Sequence, residues 1–402
     1  MNEPHRPLTA PAQRVPRSPL PRPPVPYWRL SGFYFFYFAL LGALYPYWPL
    51  YLQGEGFSPD QIGLLLAVPM ATKIVAPNLW SWLADVTGRR LEIIRLGSLL
   101  GLICFLGVVF GSSFWWLLLV ITGYSFFWNA VLPQQEVVTL DFLADFPERY
   151  SRLRVWGSVG FIIAVICAGY SFEQWGIGIF PLVGLSLLAG IFFSSLSIPQ
   201  PPQKNHESHP QTLWQATRQP AVLAFLATGV LMQMAHGAYY SFFSIYMEAL
   251  GYSRSTIGLL WSIGVVAEVI IFIFMHRLLV AFGVRAILIA SLLLAALRWA
   301  AIGNGADWLW LLIAAQCLHA FSFGTFHAAA IDTIRRLFKA DTQGSGQALY
   351  GAVSFGVGGA AGSYLAGVLW DAGATLVFNL ATLLCLLAAV LAWYGFKDKR
   401  LG

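Results

Sequence analysis

The chain has 402 residues, 58% of them hydrophobic and only 10% charged, with 24 Lys and Arg against 18 Asp and Glu. A soluble domain carries about 25% charged residues, and this chain has too little polar surface to cover a water-soluble fold. Soluble enzymes and binding modules are excluded, and the solvent is read as a bilayer.

Residues 1–26 hold nine of the 22 prolines and four arginines without an apolar run. No signal peptide is read there, and a disordered tail over 1–27 is expected. From Trp28 onward, apolar runs separated by short polar breaks recur twelve times. A helix that crosses a bilayer needs about 20 mostly apolar residues. The runs are numbered here as spans 1 to 12: 30–53, 60–84, 92–111, 114–140, 152–172, 177–198, 220–248, 254–276, 284–303, 306–334, 345–369 and 373–396. The fold class that follows is an all-α membrane protein with six helices over 28–198 and six over 220–396. A polar loop over 199–219 joins them, and 397–402 forms a short tail. In span 1, Pro46 and Pro49 predict a bend. The four cysteines sit in apolar runs without a C-x-x-C spacing, so they read as spectators.

The charge is unevenly placed. The tail, the loops after even-numbered spans and the C-terminus hold 21 of the 24 Lys and Arg. Arg254 lies on the other side, while Lys73 and Arg298 lie inside spans. By the positive-inside rule both termini are cytoplasmic, in a multi-pass protein of the cell (inner) membrane. The net charge of +6 is then topology, and no nucleic-acid partner is expected.

The two halves repeat each other. With a shift of 195 residues, ten of 24 positions match between Gly42–Leu65 and Gly237–Leu260, among them Gly42/Gly237, Tyr45/Tyr240, Ser58/Ser253 and Gly63/Gly258. A second match, shifted by 194, links R-V-W-G-S-V-G-F (154–161) to A-L-Y-G-A-V-S-F (348–355). Parallel six-helix repeats about an axis along the membrane normal are a transporter pattern.

After span 2 stands S-W-L-A-D-V-T-G-R-R (81–90). It resembles the major facilitator signature G-x-x-x-D-x-x-G-R-[KR], with Asp85, Gly88, Arg89 and Arg90 matching and Ser81 in place of the first Gly. In that family the motif is a cytoplasmic gate that latches the halves together. Further stretches are similar to the bacterial 3-phenylpropionate permease branch, related to the lactose permease and nucleoside–proton symporters. They are G-L-L-W-S-I-G-V-V-A-E-V-I-I-F (258–272), A-H-G-A-Y-Y (235–240), R-V-W-G-S-V (154–159), L-R-W (297–299) and the spacing of His319 and His327. The resemblance covers most of 28–396 and omits the tail.

A charge at a helix centre costs about 2.5–3.5 kcal/mol on insertion scales, so such residues usually face a cavity or one another. Lys73 in span 2 and Glu268 in span 8 are repeat-equivalent and of opposite sign. They are expected to interact across a central cavity in at least one state, with Glu268 a proton or substrate carboxylate. In span 4, Asn129 and Glu136 share a face, and Arg154 opens span 5. A Glu and an Arg on these spans resemble the substrate-binding pair of the lactose permease. The competing reading is an ion pair at the cytoplasmic end. In span 7, Gln233, His236 and Tyr240 share a face, and Tyr45 holds the matching place in span 1, so these line the cavity or pack as ordinary aromatics. Arg298 in span 9 is a candidate for substrate or ion pairing. His319 and His327 in span 10, with Phe323 between, lie on one drifting stripe and could relay a proton or be bonded core imidazoles. Asp332, Arg335 and Arg336 read as a cytoplasmic rim. In the lactose permease a carboxylate three residues after the span-10 His carries the coupling proton. Here that place is Ser322, so Glu268 or Glu136 would carry it.

The reading is a secondary transporter working by alternating access, with proton-coupled uptake of a small aromatic carboxylate such as phenylpropionate. Coupling is assigned to Glu268, Glu136, Arg298, His319 and Lys73. Substrate binding is assigned to Tyr45, Gln233, His236, Tyr240, Asn129, Arg154 and His327. A nucleoside or sugar symporter, a drug exporter and, remotely, a polytopic membrane enzyme are the alternatives. No enzyme activity, metal or cofactor is expected. The partners are the small solute, protons and lipid, and the protein is read as a monomer.

Overall fold

The computed structural model describes residues 24–144, 146–201, 218–339 and 342–396. The expected disordered tail before Pro24, the central loop over 202–217 and the last residues 397–402 lie outside the described residues. Those described form helices and turns without a strand.

Span 1 is a helix Tyr27–Leu44 that bends by 42° into Trp48–Gly54. Pro46 has no N–H to continue the first helix, so the predicted bend is present. Pro59–Thr87, Arg90–Leu106, Phe114–Phe142, Tyr150–Trp175 and Phe180–Ser197 form spans 2 to 6, and Pro220–Ala249 forms span 7. The serines matched by the repeat, Ser58 and Ser253, open spans 2 and 8. The Ser58 N–H donates to Gln61 Oε1 at 3.1 Å, and the Ser253 hydroxyl accepts from the Thr256 N–H at 3.2 Å.

Spans 8 and 9 lie in Arg254–Gly305 as two helices that meet at a kink at Gly283, whose φ of 73° and ψ of 162° suit only glycine. The expected loop is therefore shrunk to one residue. Span 10 is Leu309–Cys317 and Phe326–Leu337 joined by a π-helical stretch Ala320–Thr325. Span 11 is Gln343–Tyr350 and Gly359–Leu369 joined through π-helical Gly351–Gly358. Ala374–Gly395 is span 12. Large apolar side chains such as Phe110, Trp115 and Ile273 point outward, as a lipid surface requires.

Within the first half, span 1 packs on spans 5 and 6, and in the second half span 7 packs on spans 11 and 12. The halves meet along two seams, span 2 on span 11 and span 5 on span 8. The repeat exchanges these two seams, and each is closed by one of the matched glycines. A Cβ on Gly63 would lie 2.8 Å from Gly367 Cα, and one on Gly258 would lie 2.6 Å from the Val165 carbonyl oxygen. Both close approaches lie at the end of the bundle away from the termini, called here the far end. The hydrogen bonds that join the halves there meet at Arg254. Its backbone N–H donates to Glu173 Oε2 at 2.7 Å and its Nη1 to the Phe172 carbonyl at 3.0 Å. Tyr47 donates to Val165 O at 2.9 Å and lies 3.3 Å from Arg254 O. Within its own half, Arg254 pairs with Glu248 at 2.8 Å.

Candidate functional site

The far-end seams leave a pocket between the halves. The bend in span 1 turns Tyr45 and Trp48 into it, span 4 supplies Tyr124 and Trp128, and span 2 supplies Pro69 and Met70. The second half adds Tyr240, Ser241 and Ser363. Trp128 stacks on Tyr37 at 4.8 Å and on Tyr124 at 5.8 Å, so the pocket wall is the edge of the aromatic core of the first half. Tyr45 and Tyr240, matched by the repeat, meet across the halves with ring centroids 5.5 Å apart. Two polar side-chain atoms on this wall, Trp128 Nε1 and Ser241 Oγ, are buried without a partner.

Behind Tyr240 lies a polar cluster inside the second half. Tyr240 packs on Tyr239 at 5.6 Å and on His236 at 5.8 Å. His236 bonds the Met232 carbonyl through Nδ1 at 2.8 Å and stands edge-on to Trp299 at 5.0 Å. Arg298 is fully buried, with its guanidinium 4.2 Å from the Tyr239 ring and 4.4 Å from the Trp299 ring. It donates to Ser322 Oγ at 3.1 Å and to Gln316 Oε1 at 3.2 Å. No ion pair to a carboxylate is found for it among the described residues. Gln233, on the same predicted face of span 7, packs instead against Gly358 of span 11.

Along span 10, His319, Phe323 and His327 form a column of near-parallel rings, spaced 5.5 Å and 6.2 Å. The wider turn of the π-helical stretch keeps residues four apart nearly in line, so the predicted stripe is straighter than an α-helix would make it. Glu268 faces this column, with an oxygen 3.9 Å from His319 Nε2. Its methylene packs against Gly324, where a Cβ would lie 2.9 Å away.

Lys73 does not meet Glu268 here. Its Nζ lies 3.6 Å from Met70 Sδ and 5.9 Å from the Phe355 ring, in the seam between spans 2 and 11. Glu268 turns toward span 10. The Arg154 guanidinium lies 3.7 Å from the Phe38 ring. Glu136 accepts a hydrogen bond from Tyr150 at 3.2 Å. Asn129 does not join it. Its amide donates to Pro69 O at 3.0 Å and Thr72 Oγ1 at 2.8 Å, so it ties span 4 to span 2.

The signature motif binds spans 2, 3 and 4 together. Gly88 ends the span-2 helix with its N–H on Ala84 O at 2.9 Å, and Arg90 pairs with Asp85. Arg90 also donates to Gln134 Oε1 at 2.6 Å, and Gln134 donates on to Ser81 Oγ at 2.8 Å. Ser81 thus gives the motif a hydrogen bond that glycine would lack. Arg89 makes an exposed contact with Glu92 at 3.6 Å. At the rim, Arg336 bonds Asp332 at 2.9 Å.

Sequence reasoning missed Tyr239, Gln316, Trp48, Tyr124, Trp128 and the clamp around Arg254. Gln316 stands three residues before His319, on the same helix face, which is the signal that could have found it.

The comparisons with known proteins agree with this architecture. The MFS_1 like family matches residues 27–380. The chain is 33% identical over 359 residues to the probable 3-phenylpropionic acid transporter of Escherichia coli (strain K12), covering 86% of this chain and 91% of that protein. It is 27% identical over 376 residues to the maltose permease of Geobacillus stearothermophilus, covering 89% and 92%. Among solved structures, the nucleoside transporter NupG superposes with a TM-score of 0.80 at 17% identity, over 93% of this chain and 99% of that one. A bacterial homolog to the human lysosomal transporter Spinster gives 0.68 at 13% identity, over 92% and 96%. Matched by the family model over most of its length and 33% identical to a transporter over 86% of the chain, the protein belongs to the MFS_1 like family and is a major facilitator transporter.

Proposed function

We propose that the protein takes up a small aromatic carboxylate in symport with protons, with both termini on the cytoplasmic side of the cell membrane. One observation carries the substrate class. An aromatic, almost wholly apolar pocket has two membrane-embedded cations behind its wall, Lys73 against Met70 and Arg298 against Tyr239, which packs on Tyr240; among the described residues no ion pair to a carboxylate is found for either. Tyr45, Trp48, Tyr124 and Trp128 suit a flat ring. The uncompensated positive charge suits an anion, because a buried charge without a partner is costly. A polyhydroxy solute would need many polar partners, and this wall offers few. The relative named for 3-phenylpropionic acid supports the same class.

Proton coupling is assigned to Glu136, which accepts from Tyr150, and Glu268, 3.9 Å from His319, with Arg154 as the cation that each would pair with in turn. When Arg154 serves one carboxylate, the other is free to take a proton, and the halves rock between the two arrangements. His319, with Nε2 3.9 Å from Glu268, offers the proton a neighbouring acceptor. Binding by the purified protein of 3-phenylpropionate, cinnamate, maltose and uridine, followed by thermal shift, tests the class. Stabilisation by the two aromatic acids alone is expected. Stabilisation by maltose or uridine without the acids would contradict it.

A further inference from the structure

The buried cluster around Arg298 has one unusual member. Gln316 is fully buried, and its single amide oxygen accepts two hydrogen bonds, from Tyr239 at 2.9 Å and from Arg298 Nη2 at 3.2 Å. A carboxylate in the same place would make both bonds and also neutralise the guanidinium. The amide makes the bonds and leaves the charge. On the other side of the guanidinium stands Ser322, another neutral acceptor, at 3.1 Å from Nη1. Two further donors of the cluster, Arg298 Nε and Gln316 Nε2, are buried and without a hydrogen-bond partner. Arginine does not shed its proton in proteins, so the positive charge stays. The two aromatic faces of Tyr239 and Trp299 supply cation–π attraction, which holds the side chain without cancelling its charge.

We infer that Gln316 is a positioning and specificity-determining residue: it fixes Arg298 in place while keeping its charge uncompensated, so that the missing negative charge is brought by the transported anion. The inference rests on the proposed function for the nature of that anion, and it adds the residue that selects for it. An anion coming from the pocket reaches Arg298 past Tyr240, whose ring packs on Tyr239 and borders the pocket. The neutral side chain at position 316 then makes the site select acids over their amides. A ligand without charge would leave Arg298 uncompensated and gain nothing from it.

The test uses the full-length protein, with Gln316→Glu and Gln316→Met compared with wild type. Ser322→Asp serves as a second way of placing a carboxylate beside the guanidinium. Two readouts are taken: the ligand-free melting temperature, and affinity for 3-phenylpropionate against 3-phenylpropionamide. Gln316→Glu is expected to melt above wild type, because a buried cation gains a partner, and Gln316→Met below it. Gln316→Glu should lose at least tenfold in affinity for the acid while keeping its affinity for the amide. Ser322→Asp should follow Gln316→Glu in both. If neither carboxylate variant melts above wild type, Arg298 is already compensated and the inference is overturned. If they do melt higher and wild type binds neither the acid nor the amide, the uncompensated charge stands and the proposed substrate class fails; if wild type binds both without preferring the acid, the inference is overturned.

Discussion

Arg298 and Glu268 are both charged residues inside the membrane, and their surroundings set them apart. Arg298 is held among Tyr239, Trp299, Gln316 and Ser322, whereas Glu268 faces a histidine. The first suits holding a ligand charge and the second suits changing its own. Glu268→Gln is therefore expected to abolish accumulation against a gradient while retaining exchange of labelled for unlabelled substrate. Loss of exchange as well would make Glu268 a binding residue. Arg298→Lys keeps the charge but not the planar fork that reaches two acceptors at once. It should weaken binding of the acid by at least about tenfold, as expected when a partner of a buried charge pair is spoiled, and equilibrium binding measures this. Glu268, Arg298 and His319 could be picked out of the sequence because charge is so rare in the spans. Tyr239 and Gln316 could not, because aromatic and neutral polar residues are common here and only their contacts mark them out. The expected Lys73–Glu268 contact followed from the repeat. The repeat places two backbones equivalently, yet Lys73 lies in the seam with span 11 while Glu268 faces span 10.

At the scale of the helix, most boundaries could be read to within a few residues, because a bilayer fixes both the length and the polarity of a span. What could not be read were departures from the α-helix. The π-helical stretches at Ala320–Thr325 and Gly351–Gly358 depend on packing rather than on local composition. The turn at Gly283 takes the place of the break expected over 277–283. The seams were half visible, since the matched pair Gly63 and Gly258 emerged from the repeat while their role needed the partner spans. A side chain there would collide with backbone, at 2.8 Å and 2.6 Å already for the first carbon. Gly63→Leu should hold the far end apart. A single cysteine placed at Ser363 is then expected to react with a maleimide at least about tenfold faster, a shift of about 1.4 kcal/mol in the opening equilibrium. Unchanged labelling would mean that the seam gives way without opening.

For the whole molecule, two halves related by sequence pack so that the repeat exchanges their seams, and the far end is fastened at Arg254. This basic residue breaks the charge bias of the sequence, and its surroundings give a reason: its hydrogen bonds to Phe172 and Glu173 cross between the halves. Each charge-assisted bond contributes about 1.5–3 kcal/mol. The double variant Arg254→Ala with Glu173→Ala should shift the population toward a far end that is open. Spin-label distances between spans 5 and 8 would lengthen, and unchanged distances would remove Arg254 from the gate. The central claim is that this rocking carries an aromatic acid together with protons. Its most direct test is uptake of labelled 3-phenylpropionate into proteoliposomes under an inward proton gradient. Accumulation above the outside concentration is expected, collapsing on adding a protonophore and lost in Arg298→Ala. Absence of such uptake by a protein that does accumulate maltose or uridine under the same gradient would contradict it.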